Sequence, residues 1–278
     1  MFKILIPTDF SPAAYSAAKY ALAISDHFNL IEITLFHCID TTLTANGLIH
    51  ELQDVLLKEA EKEIKKMSDE LAVNLKSGVH IEYDVIFGNV EDEILRKTVE
   101  GESDLVVMGT KGAGGIEKVL FGSTASKVVE EVKNCPVIVV PFNTPIKPIT
   151  SILYATDLAD LKSESELIIA FGKLFHACID ILHVTDDPEK EKKQDEVKVA
   201  YELVKNFNYV ALSFHAVFNL DPLDGIEDFI IKNKPSIVAM FTRRKTIFDK
   251  FLKGNLTKEM AFHTHVPLLA IPYDLILK

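Results

Sequence analysis

The sequence predicts an α/β protein built from two similar parallel-sheet domains in tandem. Three observations predict it: a length of 278 residues, a series of motifs that occurs twice, and short β-branched runs alternating with longer helical patterns. A chain of this length exceeds the usual single domain, and two domains of about 140 residues are the natural division. With 48% hydrophobic and 26% charged residues, the composition is that of a globular chain able to bury two cores.

The repeat is read directly. Lys3-Ile-Leu-Ile-Pro-Thr-Asp9 is echoed by Ser151-Ile-Leu-Tyr-Ala-Thr-Asp157, and Ile33-Thr-Leu-Phe-His-Cys38 by Ile179-Asp-Ile-Leu-His-Val184. Asp104-Leu-Val-Val-Met108 then matches Ser236-Ile-Val-Ala-Met240, and Cys135-Pro-Val-Ile-Val-Val-Pro141 matches Val266-Pro-Leu-Leu-Ala-Ile-Pro272. The shared order makes coincidence a poor explanation. Between the copies, Asn143-Thr-Pro-Ile-Lys-Pro148 carries two prolines that block helix and central-strand pairing, so this is the linker. The boundary is placed near Pro145, giving domains 1–145 and 146–278.

Within the first copy, strands are expected near Lys3 to Pro7, Ile31 to Cys38, His80 to Phe87, Leu105 to Met108 and Val137 to Val140. They are nearly continuous in apolar residues, as strands covered on both faces must be. Ser11 before Pro12 reads as an N-cap with proline at the first helical position, and Ala14, Ala17, Ala18, Ala21 and Leu22 form the apolar stripe of the first helix. A second helix is expected from about Gly47 to Lys76, with Asp187 to Asn206 as its counterpart in the second copy. Asn89 followed by Asp92 resembles a capping pair for the third helix, and Ser123 is the expected cap of the fourth.

Acidic residues outnumber basic ones by 41 to 30, so the molecular field repels a phosphodiester backbone and disfavours nucleic acid as a partner. A free nucleotide is compatible with that charge, because a few backbone donors hold phosphates locally. Cys38, Cys135 and Cys178 form no CxxC pair and no cluster of metal-ligand spacing, so neither a disulfide framework nor a metal site is expected. No apolar run approaches the roughly 20 residues of a membrane span, and Met1 to Pro7 reads as a strand, not a leader. The expectation is a cytoplasmic protein with no membrane partner.

The chemistry concentrates after the fourth strand of the first copy, in Gly109-Thr-Lys-Gly112 and, after nine intervening residues, Gly122-Ser123-Thr124. Glycines at the carboxyl end of a parallel strand let backbone approach a ligand, and a helix opening at Ser123 offers free N–H groups to an anion. The spacing matches neither a Walker loop nor the dinucleotide fingerprint.

On these residues the chain resembles a tandem member of the universal stress protein family, whose ATP-binding pattern is GxxGxxxxxxxxxG followed by Ser or Thr. Gly109, Gly112, Gly122 and Ser123 match it in full, and Asp9, His37-Cys38 and the Cys135 to Pro141 run extend the likeness. The resemblance implies two adenine-nucleotide alpha-hydrolase-like domains, each a five-stranded parallel sheet of order 3-2-1-4-5. It places ATP, with or without magnesium, where strands 1 and 4 diverge. That agrees with the rule that open α/β sheets bind ligands at the topological switch point.

By the resemblance, Pro7, Thr8 and Asp9 line the adenosine side, and Cys38 and Met108 contact or flank the base. Gly109, Thr110 and Gly112 approach the ribose and phosphates, and Gly122, Ser123, Thr124 and Ala125 hold the phosphate tail. Asp9 has a competing role as a cap of the adjacent helix. His37 and His183 read as histidines of the core or behind the site, and Cys38 as a buried thiol.

In the second copy Phe241 stands where Gly109 does, Arg244 where Gly112 does, and Asn255 follows the surviving Gly254. ATP is therefore expected in the first domain only. Ile247, Phe248 and Phe251 make the intervening loop bulky, and Arg243, Arg244 and Lys245 read as a solvent-facing basic cluster. The resemblance further implies that the two domains pair through their fifth strands, Val137 to Val140 and Leu268 to Ile271, as an intrachain pseudo-dimer, and it allows a further homodimer. No catalytic constellation accompanies the glycine loop, so the expectation is a protein that is not an enzyme, with slow ATP hydrolysis left open. The expected function is nucleotide-dependent stress response through an unidentified protein partner, with a nucleotide-free scaffold of the same fold as the alternative.

Overall fold

The computed structural model describes residues 1–40, 50–73, 75–99, 101–112, 119–120, 122–186, 191–242 and 266–277. The chain forms two compact units, one of residues 1–114 and 120–146, the other of residues 115–119 and 147–278.

In the first unit, β1 (Phe2–Pro7) runs parallel to β2 (Ile31–Asp40) on one side and to β4 (Leu105–Gly109) on the other. Beyond β2 lies β3 (Val79–Gly88). Two two-residue strands, β5 (Lys111–Gly112) and β6 (Val119–Leu120), precede β7 (Val137–Val140), which pairs with β4. The order across the sheet is β3-β2-β1-β4-β7, which is 3-2-1-4-5 counted over the five long strands. Ile4, Leu5 and Ile6 are buried in succession, as are Leu105 to Met108, so both faces of the central strands are covered.

The helices supply that cover. α1 (Pro12–Ser25) opens on Ser11, whose Oγ accepts the Ala14 N–H at 3.2 Å, with Pro12 at the first helical position. Its buried face is Ala13, Ala14, Ala17, Ala18, Tyr20, Ala21 and Ile24, while Leu22 of the expected stripe is only half-buried. α2 (His50–Ala72) packs on β2 and β3 and touches α1. The residues before His50 in the expected second helix lie outside the described residues.

α3 (Val90–Val99) is capped by Asn89, whose Oδ1 accepts the Asp92 N–H at 3.1 Å, and it packs against α4 (Ser123–Glu131). Right-handed crossovers put α1 and α2 on one face and α3 and α4 on the other. The chain thus leaves β1 toward β2 but enters β4 on the opposite side, which makes the carboxyl ends of β1 and β4 the switch point.

The second unit repeats the plan with β8 (Ser151–Thr156), β9 (Cys178–Thr185), β10 (Leu212–Phe218), β11 (Ile237–Thr242) and β12 (Leu268–Pro272). Its order is β10-β9-β8-β11-β12, all parallel. α5 (Leu161–Phe175), α6 (Glu191–Lys205) and α7 (Pro222–Asn233) connect the strands. Residues 187–190, the start of the expected helical counterpart, lie outside the described residues, as do residues 243–265. Arg243, Arg244, Lys245, Ile247, Phe248, Phe251, Gly254 and Asn255 all fall in the latter stretch. Among the described residues, no helix is long and apolar enough to cross a membrane.

Candidate functional site

The site is built around the end of β1. Pro7 pairs with Phe36, and the Thr8 N–H continues the ladder to the Phe36 carbonyl at 2.8 Å. The chain then turns sharply. Thr8 Oγ1 accepts the Phe10 N–H at 3.0 Å and donates to Met67 Sδ at 3.5 Å. Asp9 Oδ1 accepts the Ser11 N–H at 3.0 Å, and Phe10 takes a left-handed φ of 61°. His37 bonds the Thr8 carbonyl through Nδ1 at 2.8 Å and packs against Phe10 with the rings tilted by 32° and their centroids 4.4 Å apart. Its role is to hold the turn, as expected of a histidine behind the site.

The second unit reproduces the three hydrogen bonds that tie this turn to its own backbone. The strand register aligns Leu5 with Leu153, since they pair with the equivalent Val106 and Val238, so Asp9 corresponds to Asp157 and Gly109 to Phe241. Thr156 Oγ1 accepts from Leu158 at 3.0 Å, Asp157 Oδ1 accepts from Ala159 at 3.0 Å, and His183 Nδ1 reaches the Thr156 carbonyl at 3.1 Å. Leu158 has φ 67°. The Thr-Asp turn is thus an element of the fold present in a copy without the glycine motif. Asp9 serves an Asx turn, and the helix cap itself is Ser11.

β4 meets the turn from the other side. Met108 is buried, Gly109 ends the strand opposite Val140, and the Thr110 N–H bonds the Val140 carbonyl at 3.0 Å. Gly109 has a packing reason that the sequence did not reveal. A Cβ there would lie 2.6 Å from the Ala13 carbonyl oxygen and 2.7 Å from its carbon, so the glycine lets the amino end of α1 sit against β4. In the second unit Phe241 fills the equivalent position and packs edge-on against Tyr154, centroids 5.8 Å apart. Tyr154 in turn hydrogen-bonds the buried Glu164 of α5. Burial and the neighbouring Glu164 carboxylate raise the Tyr154 phenol well above its ordinary value, so it remains a donor. α5 packs on β8 and β9, where α1 packs on β1, β4 and β7.

At the side expected from the sequence to receive phosphates, Gly112 belongs to β5, and residues 113–118 lie outside the described residues. α4 begins one residue earlier than an N-cap at Ser123 requires: the N-cap is Gly122, with φ −64° and ψ 157° and no side-chain hydrogen bond to the first turn. Ser123 is the first helical residue, and glycine before it has no side chain to accept a hydrogen bond from the opening N–H groups. Ser123 is exposed, Thr124 half-buried and Ala125 buried. A residue absent from the sequence reading enters here: Glu91, in the first turn of α3, accepts the Thr124 Oγ1 hydrogen at 3.1 Å. Thirty-three residues separate the pair along the chain, and no local pattern signals it.

Cys38 lies in β2 beside Ile86, 8% exposed. Burial first, then the carboxylates of Glu93, Asp40 and Glu91, push its thiol up to about 11, which keeps it protonated near neutrality. Glu93 is held by Arg96 at 2.8 Å and lies over Gly88. Among the described residues, no group of three or more His, Cys, Asp or Glu side chains is arranged to hold a metal ion. The structure therefore brings Pro7, Thr8, Asp9, Met108, Gly109 and Thr110 to adjoining strand ends, with Cys38 on the next strand. Asp9 and Ser123 are the exposed members, whereas Met108, Thr110 and Ala125 are buried.

Comparison with known proteins accords with this geometry. The family model of the universal stress protein family matches residues 1–141. Universal stress protein MJ0531 of Methanocaldococcus jannaschii is 37% identical over 145 residues, covering 50% of this chain and 81% of that protein. Universal stress protein MJ0577 of the same organism is 28% identical over 153 residues, covering 50% of this chain and 93% of its own. A crystal structure of a universal stress protein from Archaeoglobus fulgidus superposes with a TM-score of 0.75 over 97% of this chain and 98% of its own, at 19% identity, a likeness of fold along both halves.

Proposed function

Because this chain belongs to the universal stress protein family, we propose that its first domain binds an adenine nucleotide such as ATP at the β1–β4 switch point and acts in stress response through the conformational or partner-binding change that follows. The observation that carries the reading is the opening of α4 on Gly122. Its φ of −64° and ψ of 157° suit any residue, so backbone freedom does not explain the glycine. Ser, Thr, Asn or Asp at an N-cap would stabilise the helix through a side-chain bond. A glycine instead leaves a helix terminus with outward N–H groups and partial positive charge, which suits a phosphate.

In this reading Asp9 and Cys38 face the adenosine, Gly109 and Gly112 pass the ribose and phosphates, and Ser123 and Thr124 receive the tail. Magnesium, when present, would supply charge neutralisation of that tail. The second domain, with Phe241 packed on Tyr154, is assigned no nucleotide. The output is binding and not turnover, in the cytoplasm, toward a protein partner. Pairing of Val137–Val140 with Leu268–Ile271 stays part of the proposal on the sequence alone, and a cysteine pair placed on those strands tests it by cross-linking.

Titration of labelled ATP against wild type and Gly122→Val tests the proposal, together with mass spectrometry of small molecules released from freshly purified protein. Wild type is expected to bind and the variant to lose binding. Equal, negligible binding by both favours the scaffold reading, which one observation already supports: the Thr-Asp turn keeps its backbone hydrogen bonds in the copy without the motif.

A further inference from the structure

Glu91 and the amino end of α4 meet in a way that bears on which nucleotide the site prefers. An uncapped helix terminus attracts negative charge. Here a negative charge is already present: the Glu91 carboxylate, carried in from the first turn of α3, lies 3.1 Å from the Thr124 hydroxyl and accepts its hydrogen bond. Resting on the nucleotide reading above, we propose that Glu91 is a resident counter-anion of the α4 terminus that makes the site discriminate ligands by the charge of their phosphate tail.

The physical argument is a competition. A phosphate approaching Ser123 and Thr124 meets a donor that already has an acceptor and a like charge a few ångströms away. The repulsion is partly screened, because Glu91 is half-buried and not sealed from water. Adenosine carries no such charge and feels none of this. ATP feels most of it when free, and least when a divalent cation neutralises its tail. Glu91 thus sets a threshold against uncomplexed polyphosphate while leaving recognition of the adenosine untouched.

Neighbouring carboxylates are less well placed for the role. Glu93 is engaged by Arg96 at 2.8 Å and lies over Gly88, and Asp92 is exposed on the same helical turn. Asp40 and Glu93 join Glu91 in raising the Cys38 thiol, so all three add negative potential on this side of the site. Glu91 is the carboxylate seen to hydrogen-bond a residue of α4 among the described residues.

The test is calorimetric titration of adenosine, ATP with EDTA, and ATP with magnesium into wild type, Glu91→Gln and the control Asp92→Asn, with thermal melts of each. Glu91→Gln is isosteric and keeps an acceptor for Thr124. It is expected to raise affinity for ATP in EDTA on the order of tenfold, to shrink the difference between magnesium and EDTA, and to leave adenosine within about twofold. Asp92→Asn is expected to match wild type. If Glu91→Gln binds ATP as wild type does in both conditions, or if Asp92→Asn gains as much, the inference fails while nucleotide binding stands. If no adenylate binds any of the three folded proteins, the nucleotide reading fails and takes this inference with it.

Discussion

Replacing Gly109 by alanine separates a glycine that serves the fold from one that serves a ligand. The added Cβ would stand 2.6 Å from the Ala13 carbonyl oxygen, 2.7 Å from its carbon and 3.1 Å from the Ala14 nitrogen, where ordinary contact begins at 3.4 Å. All three neighbours are main-chain atoms at the amino end of a helix, so no side chain can swing aside. Relief requires α1 to move off β4, or β4 to bow, at the centre of the first sheet. Overpacking of this kind costs roughly 1 to 3 kcal/mol. For a unit of this size that corresponds to a fall in the first unit's melting midpoint of roughly 3 to 10 °C.

The assay is differential scanning calorimetry of wild type, Gly109→Ala and Gly122→Ala. Gly122 has an extended backbone open to any residue, so its variant is expected to lose only the cost of alanine at an N-cap, about 0.5 to 1 kcal/mol. A Gly109→Ala midpoint equal to that of wild type would refute the close-approach argument and return Gly109 to a purely ligand-facing role.

The two Thr-Asp turns are expected to respond alike: Asp9→Ala and Asp157→Ala each lose one hydrogen bond to a turn N–H and should each lower stability by about 0.5 to 1.5 kcal/mol in urea unfolding, whereas only Asp9→Ala should affect nucleotide titration. Cys38 should react with iodoacetamide far more slowly at pH 8 than the exposed Cys178, and a rate for Cys38 equal to that for Cys178 would contradict its burial. The same thiol gives a pH signature. Its value rises from 9.0 to about 11 on folding, so its contribution to stability is complete below pH 9 and is lost as pH climbs toward 11, and Cys38→Ala should flatten that part of the stability profile.

Much of the fold was legible in the residues because the determinants are local or periodic. The apolar run Lys3 to Pro7, the Ser11-Pro12 helix start and the Asn89 cap each declare themselves within a few positions, and the doubled Thr-Asp and His motifs give the tandem plan. Ser123 as a helix cap was misplaced by one residue, since a glycine at an N-cap leaves no side-chain signature, and the serine beside it looks the better candidate. Glycine spacing likewise marked Gly109 for a ligand, and the structure adds the close Ala13 main chain as a second reason for the missing side chain.

The amino-acid sequence by itself determined the α/β class, the repetition and the positions of the glycines, because strand and helix periodicity and turn chemistry act over a few residues. Only the tertiary structure decided that the Thr-Asp turn is common to both units, that Phe241 closes against Tyr154 where Gly109 admits α1, and that Glu91 meets Thr124. Those are contacts between elements far apart along the chain. They exist because right-handed crossovers stack α3 beside α4 and lay α1 on β4, and no pattern within one segment specifies which side chain a crossover delivers to another.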